Sequence, residues 1–229
     1  MTNLQKRILT SLIILPLSFF FIIKGGHLLF FFLVTVFCLA NYELFSCFKK
    51  VYTILIINLI LILSLFSIYY LSNQNLASFL LLLWVIILTV FSDIGGYIFG
   101  KIFKWKKLTK ISPKKTLSGV FGSFLFSFIS NLITSYFLFT GTNINLLGGR
   151  FNIYPDEIPN LLEVKFLFLA IVLSLIAQIG DLTISFFKRI EKIKDSGSIL
   201  PGHGGIFDRI DSLMLVLIFT FIIYHLNII

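Results

Sequence analysis

Charge is scarce in this sequence. Its 19 lysines and arginines and 10 aspartates and glutamates amount to 13% of 229 residues, where soluble domains average about 25%. That scarcity, beside a hydrophobic content of 58%, excludes an ordinary water-soluble domain. Cysteine is limited to Cys38 and Cys47, both within one apolar run, which excludes a disulfide framework and a zinc-type ligand set. No segment repeats at a fixed period, and there is no low-complexity tract beyond the apolar runs. Acid is the rarer sign, leaving a formal charge of +9. In so apolar a chain that excess points to membrane orientation, anionic lipid and phosphate ligands rather than to nucleic acid.

What is abundant is long apolar sequence. Seven runs stand out, at about 8–23, 28–47, 52–71, 76–99, 117–140, 161–187 and 210–228. Each approaches the ~20 residues that a helix needs to cross a bilayer while satisfying its own backbone. The expectation is an all-α polytopic membrane protein, a bundle of about seven transmembrane helices in one integral-membrane domain spanning 1–229. The first run follows a basic start like a signal peptide but has no small-x-small cleavage site, so it reads as an uncleaved, rather short first span. If every run crosses once, 16 of the 19 basic residues fall on one side, and only Lys24, Arg150 and Lys165 on the other. The positive-inside rule then places the N-terminus and two long basic loops in the cytoplasm and the C-terminus outside.

The acids are the anomaly. Asp156, Glu157 and Glu163 belong to an outer loop and its edge, where a solvated face explains them. Glu43 lies a turn from the inner end of the second run, where it would snorkel or cap. Asp93 and Asp181 are deeper, in LLLLWVIILTVFSDIGG and LFLAIVLSLIAQIGDLTISFF. A carboxylate at such depth costs about 2.5 kcal/mol or more on insertion scales, so it needs a partner or a wet cavity. Asp208 and Asp211, three apart at the start of the last helix, lie on neighbouring faces. Asp93, Asp181 and Asp208 thus fall toward the cytoplasmic ends of the fourth, sixth and seventh helices. Oxygen donors without clustered histidine or cysteine suit a hard cation such as Mg²⁺, which takes one or two carboxylates and completes its shell with substrate phosphates.

Two loops supply the cations for such a substrate. In KDSGSILPGHGGIFDRIDS, residues 194–212, Gly204 and Gly205 follow His203 and precede Asp208-Arg209. A turn needs fewer glycines, and the extra ones let backbone N–H groups approach a phosphate. In KIFKWKKLTKISPKKTLSG, residues 101–119, Ser112, Lys114, Lys115 and Thr116 supply hydroxyls and ammonium groups just before a helix N-terminus, a favourable place for anions. The same loop is also a polybasic segment suited to anionic membrane lipids. GGYIFGK, Gly95–Lys101, has a phosphate-loop frame, but Ile102 stands where Ser or Thr must hold Mg²⁺ and no strand precedes it; Gly96-x3-Gly100 reads instead as close helix packing.

SFFKRIEKIKDSGSILPGHGGIFDRID, Ser185 to Asp211, resembles the signature of the phosphatidate cytidylyltransferases, or CDP-diacylglycerol synthases. That signature runs S-x-apolar-K-R, four residues, K-D, a spacer, then H-G-G-apolar-x-D-R-apolar-D, and every specified position is filled. SDIGGYIFGK, ISPKKTLSG and Gly180-Asp181 are similar to further family elements, so the resemblance covers about 92–212. Residues 1–91 match only in character, and 213–229 complete the last span. The chain is shorter than is typical of the family, which points to a missing N-terminal span or two. The resemblance implies CTP plus phosphatidate giving CDP-diacylglycerol and pyrophosphate, with Mg²⁺ on Asp181 and Asp208, an accompanying K⁺, and a homodimer.

On this reading Lys188, Arg189 and Arg209 clamp phosphates beside the two metal-binding aspartates. Lys194, Asp195, His203, Asp211 and Asp93 complete the candidate substrate surface. The Phe, Ile, Asn and Lys bias points to an AT-rich genome and the short N-terminus to a bacterium, hence to its cytoplasmic membrane. Other readings stay open: a kinase or CTP-dependent transferase acting on another lipid or polyprenol phosphate, an ion-coupled transporter, or a structural protein that binds anionic lipid. A transporter does not require a glycine-rich loop beside K-R and K-D, and a lipid-binding scaffold does not require deep acids.

Overall fold

A computed structural model describes residues 3–109, 112, 115–140, 159–193, 195–197, 199 and 204–228, with side chains left out at 3–9, 11 and 138–140. Those residues form seven helices: α1 (Asn3–Lys24), α2 (Gly26–Cys47), α3 (Val51–Asn73), α4 (Leu76–Phe103), α5 (Leu117–Thr140), α6 (Val164–Ile190) and α7 (Phe207–His225). Each of the seven apolar runs is thus a helix, as hydropathy predicts. Helices α2 to α6 are long and apolar enough to cross a membrane; the apolar part of α1, Leu12–Lys24, is shorter. Their outer faces are unsuited to water, with Phe31 and Phe168 among many exposed apolar side chains. The chain is a multi-pass membrane bundle.

Interior packing follows the rules of a lipid solvent, where small and weakly polar residues bring helices together. Ser92 on α4 and Ser174 on α6 share a 2.7 Å hydrogen bond, and the Trp84 indole donates to Asn131 on α5 at 2.8 Å. Helices α4 and α5 cross closest. A Cβ at Gly95 would run into the Gly122 carbonyl and Phe126, and one at Gly122 into Phe99 and the Gly95 carbonyl. The Gly96–Gly100 spacing is therefore used for packing: α4 runs unbroken through it, with no phosphate loop. At roughly 42 Å by helical rise, α4 exceeds a ~30 Å hydrocarbon core. Its last turn and the following lysines sit at the boundary, closed by Lys104 with φ 49°.

The segment after α4 doubles back on itself. Lys107 and Thr116 form an isolated antiparallel bridge, and Leu108 N–H donates to the Lys115 carbonyl at 2.8 Å. This return places Lys115 and Thr116 at the start of α5, facing α6. A second clasp joins distant parts of the chain at the same end. Glu191, just past α6, accepts hydrogen bonds from the Lys49 and Lys50 amides and the Thr53 hydroxyl, so it caps α3 from another helix. Burial acts to raise its pKa, but those donors and the Lys50 charge outweigh it and hold the carboxyl below its ordinary value.

Two outcomes test this packing. Gly122→Val overfills the α4–α5 crossing and lowers stability by about 1–3 kcal/mol, read as a fall in unfolding temperature in detergent. Since the Glu191 pKa is depressed on folding, its stabilisation is complete above the ordinary carboxylate range and is lost as pH falls through the lowered value. Wild type therefore loses more stability than Glu191→Gln on titration from pH 7 downward, and parallel curves would sink the clasp.

Candidate active site

The basic end of the bundle holds a cavity of about 380 Å³ among α4, the 104–116 loop, α5, α6 and α7. Its wall includes Asp93, Asp181, Asp208 and Asp211 from three helices, with Ser112, Lys115 and Thr116 from the loop. Helical phase explains the convergence. Asp93 and Asp181 lie toward the C-terminal ends of α4 and α6, while Asp208 and Asp211 open α7, and these ends share one side. Gly180 brings α6 and α7 together, since a Cβ there would press on the Asp211 and Ser212 carbonyls.

Each acid has a donor. Asp181 Oδ2 is 2.6 Å from Lys115 Nζ, and Ser185 Oγ donates to Asp181 Oδ1 at 3.3 Å. Asp208 Oδ1 is 2.6 Å from Lys188 Nζ, and its Oδ2 accepts from the Ser196 and Gly205 amides at 3.0 and 3.1 Å. Deeper in, Ser212 Oγ donates to Asp93 Oδ2 at 2.8 Å, and the Ser212 amide to Asp211 Oδ1 at 2.9 Å. The Lys188–Asp208 pair is the drier, with side chains 10% and 12% exposed against 21% and 32% for Lys115 and Asp181. Lys115 also donates to the Gln178 carbonyl at 3.1 Å. An ammonium has three N–H groups, so one remains for a ligand phosphate.

The glycines differ in detail from the sequence expectation. Gly204, at φ +88°, and Gly205 turn toward Asp208, and a Cβ on Gly204 would stand 3.1 Å from Asp208 Oδ2. Their close approach is to protein carboxylates. Thr116 Oγ1 accepts from the Gly119 amide at 3.2 Å, so it caps α5 while lining the cavity. Arg189 and Arg209 are exposed and Arg189 donates to the Ile193 carbonyl; neither lines the cavity, nor does exposed Asp195. Lys114, Lys194 and His203 lie outside the described residues.

Sequence reasoning missed Tyr97, Gln178 and Ser212, all on the cavity wall. Helical spacing from the acids would have found them: Tyr97 is four after Asp93, Gln178 three before Asp181, and Ser212 four after Asp208. Glu43, read from the sequence as a residue that would snorkel or cap, does cap, though the helix it caps was not foreseen. That side chain is 1% exposed and reaches the N-terminus of α7, where Ile206 N–H donates to its Oε2 at 2.6 Å.

The sequence profile of the cytidylyltransferase family matches residues 47–227. The chain belongs to that family. Its relatives include proteins named phosphatidate cytidylyltransferase from Staphylococcus epidermidis, 42% identical, and from Staphylococcus haemolyticus and Staphylococcus aureus, each 39% identical, over 137 residues. In each case the match covers 59% of this chain and 45% of the relative, so it takes in under half the length of those proteins. Every residue of the cavity wall falls inside 47–227, whereas Glu43 does not.

The ion pairs set an expectation of their own. Lys188→Met strands a largely buried Asp208 charge, a change that typically destabilises by roughly 3–5 kcal/mol. Adding Asp208→Asn to it restores most of the lost unfolding temperature in detergent; additive losses in the double variant would show that the two groups act independently.

Proposed function

We propose that this chain transfers the cytidylyl group of CTP to phosphatidate, giving CDP-diacylglycerol and pyrophosphate. The observation that carries the reading is one cavity, at the basic end of a membrane bundle, lined by Asp181 and Asp208 from separate helices, each beside a lysine. The names of the staphylococcal relatives support the same reaction. A membrane setting suits a lipid substrate, and the lysine-rich side suits two phosphate-bearing ones. On the positive-inside count the N-terminus and the site loops face the cytoplasm of a bacterial inner membrane. A homodimer belongs to the proposal through the family resemblance alone.

The donor set fits Mg²⁺. The carboxylates are hard oxygen ligands, and among the described residues no three acidic, histidine or cysteine side chains form a ready-made metal cage. That matches an ion which keeps one or two protein carboxylates and draws the rest of its shell from substrate phosphates and water. Asp181 and Asp208 would hold it, and when bound it would neutralise triphosphate charge and ease departure of pyrophosphate. K⁺ beside it is carried over from the resemblance and is tested in the same assay.

The chain's own groups do the positioning. A phosphatidate phosphate oxygen is already nucleophilic, so it needs no general base. It attacks the α-phosphorus of CTP in line; the new P–O bond forms as the α–β bridging bond breaks, and pyrophosphate takes the electron pair. Catalysis of such transfers is mostly alignment and neutralisation of spreading charge. Lys115 offers its remaining N–H to a phosphate oxygen at the cavity wall. Lys188 fixes one Asp208 oxygen, while the Ser196 and Gly205 amides fix the other, so this carboxylate is held before any ligand arrives. Ser112 and Thr116 line the loop side, where either the triphosphate tail or the lipid phosphate would lie.

Purified protein in mixed micelles, given labelled CTP, phosphatidate and Mg²⁺ with and without K⁺, should yield a CDP-lipid. Asp181→Asn and Asp208→Asn should each lower turnover by at least about a thousandfold, a loss of roughly 4 kcal/mol in transition-state stabilisation, while insertion and helicity persist. Lys115→Ala should chiefly raise a substrate KM. Wild-type turnover in either asparagine variant removes the assignment, and product only from a polyprenol phosphate redirects it to another lipid.

A further inference from the structure

Among the described residues, Glu43 is the one fully buried carboxylate that the proposed chemistry does not use. It sits on α2 near the cytoplasmic end, outside the family-matched stretch, and 1% of it is exposed. Its Oε2 accepts the Ile206 amide at 2.6 Å, and the Phe207 amide is a second donor. These belong to the first turn of α7, whose amides have no carbonyl partner within the helix. Ile206 itself supplies no side-chain cap. A carboxylate there satisfies the orphan donors and meets the positive end of the helix dipole.

The surroundings are shaped to this side chain. A Cβ on Gly197 would run into the Glu43 carboxylate, and one on Gly205 into both Glu43 Oε1 and Ser196 Oγ. Ser196 is fully buried, and its amide is one of the two that hold Asp208 Oδ2; the Gly205 amide is the other. Two neighbouring carboxylates thus divide one turn between them. Asp208 takes the amides of Ser196 and Gly205, and Glu43 takes those of Ile206 and Phe207. The glycines are needed because both carboxylates crowd the same backbone.

We propose that Glu43 is a positioning residue of the cytidylyl-transfer site: from α2 it fixes the backbone at Ser196, Gly197 and Gly205, and through those amides it sets the Asp208 carboxylate. The inference rests on the function proposed above, but its geometry does not. Its test accordingly has an arm that needs no turnover. Amide hydrogen exchange is followed in detergent for wild type, Glu43→Gln, Glu43→Ala and Gly205→Ala, beside kcat and KM for CTP.

Glu43→Ala should speed exchange at Ile206 and Phe207 at least tenfold, leave the α4–α5 amides unchanged, and lower kcat tenfold or more with a smaller change in KM. Glu43→Gln, which keeps an acceptor oxygen, should recover much of the protection and the rate. Gly205→Ala, which drives a methyl against Glu43, should reproduce the alanine phenotype. Unchanged protection in Glu43→Ala overturns the proposal, and so does a uniform rise across α4–α6, which marks a general loss of fold. If Glu43→Ala yields no folded protein, Glu43→Gln and Gly205→Ala decide it by the same pattern. A wild type without cytidylyl transfer but with this exchange pattern would sink the function and leave the positioning intact.

Discussion

Carboxylates at the basic end of an apolar bundle must find donors, and the rest of this structure follows from that need. Removing a charge from water is costly, and in low dielectric it is tolerated only with close partners. Here Lys115 and Lys188 answer Asp181 and Asp208, serine groups answer Asp93 and Asp211, and backbone amides answer Glu43 and Glu191. All but the Asp211–Ser212 contact join different elements of the chain. The acids therefore tie the bundle together at the end where the chemistry is proposed to occur.

The same pairs suit a site meant to receive polyanions. Two lysines lie against two aspartates, so those two carboxylates are matched in charge before any ligand binds. On the function proposed above, a divalent cation arriving with a triphosphate would bring both signs at once, and the lysines would turn from carboxylate to phosphate without stranding either group. Such rearrangement needs little motion when the partners already sit within hydrogen-bond distance. Small residues contribute by letting helices close up: Gly180 seats α6 on α7 next to Asp181, and the α4–α5 glycines bring the loop end of α5 against the cavity.

Much of this was legible in the sequence, because a membrane imposes simple rules. Length and hydropathy located all seven helices within a few residues. The deep acids announced themselves through depth, and the glycine-rich signature marked the α7 entrance. Other features depend on pairings that periodicity cannot express. Nothing near Glu43 in the sequence indicates that its partner amides lie at Ile206 and Phe207, and nothing around Glu191 indicates α3. Gln178 and Ser212 were within reach of i±3 and i+4 spacing from the acids, a rule applied only to Asp208 and Asp211. Arg189 and Arg209 carry the charge a phosphate clamp needs, yet their helical phase turns them to the surface. The glycines next to Asp208 were assigned to ligand approach, where the crowding comes from side chains of the protein itself.

The two cross-helix caps have a bearing on how the molecule can be divided. Residues 47–227 hold the whole cavity wall, which makes them look like a self-contained module. Yet Glu43 precedes that boundary, and the Lys49 and Lys50 amides bound by Glu191 lie just within it. A chimera joining residues 47–227 of this chain to the leading helices of a homologue would keep the backbone at Ser196 and Gly205 in place only if the donor helix brought an acid at the equivalent point.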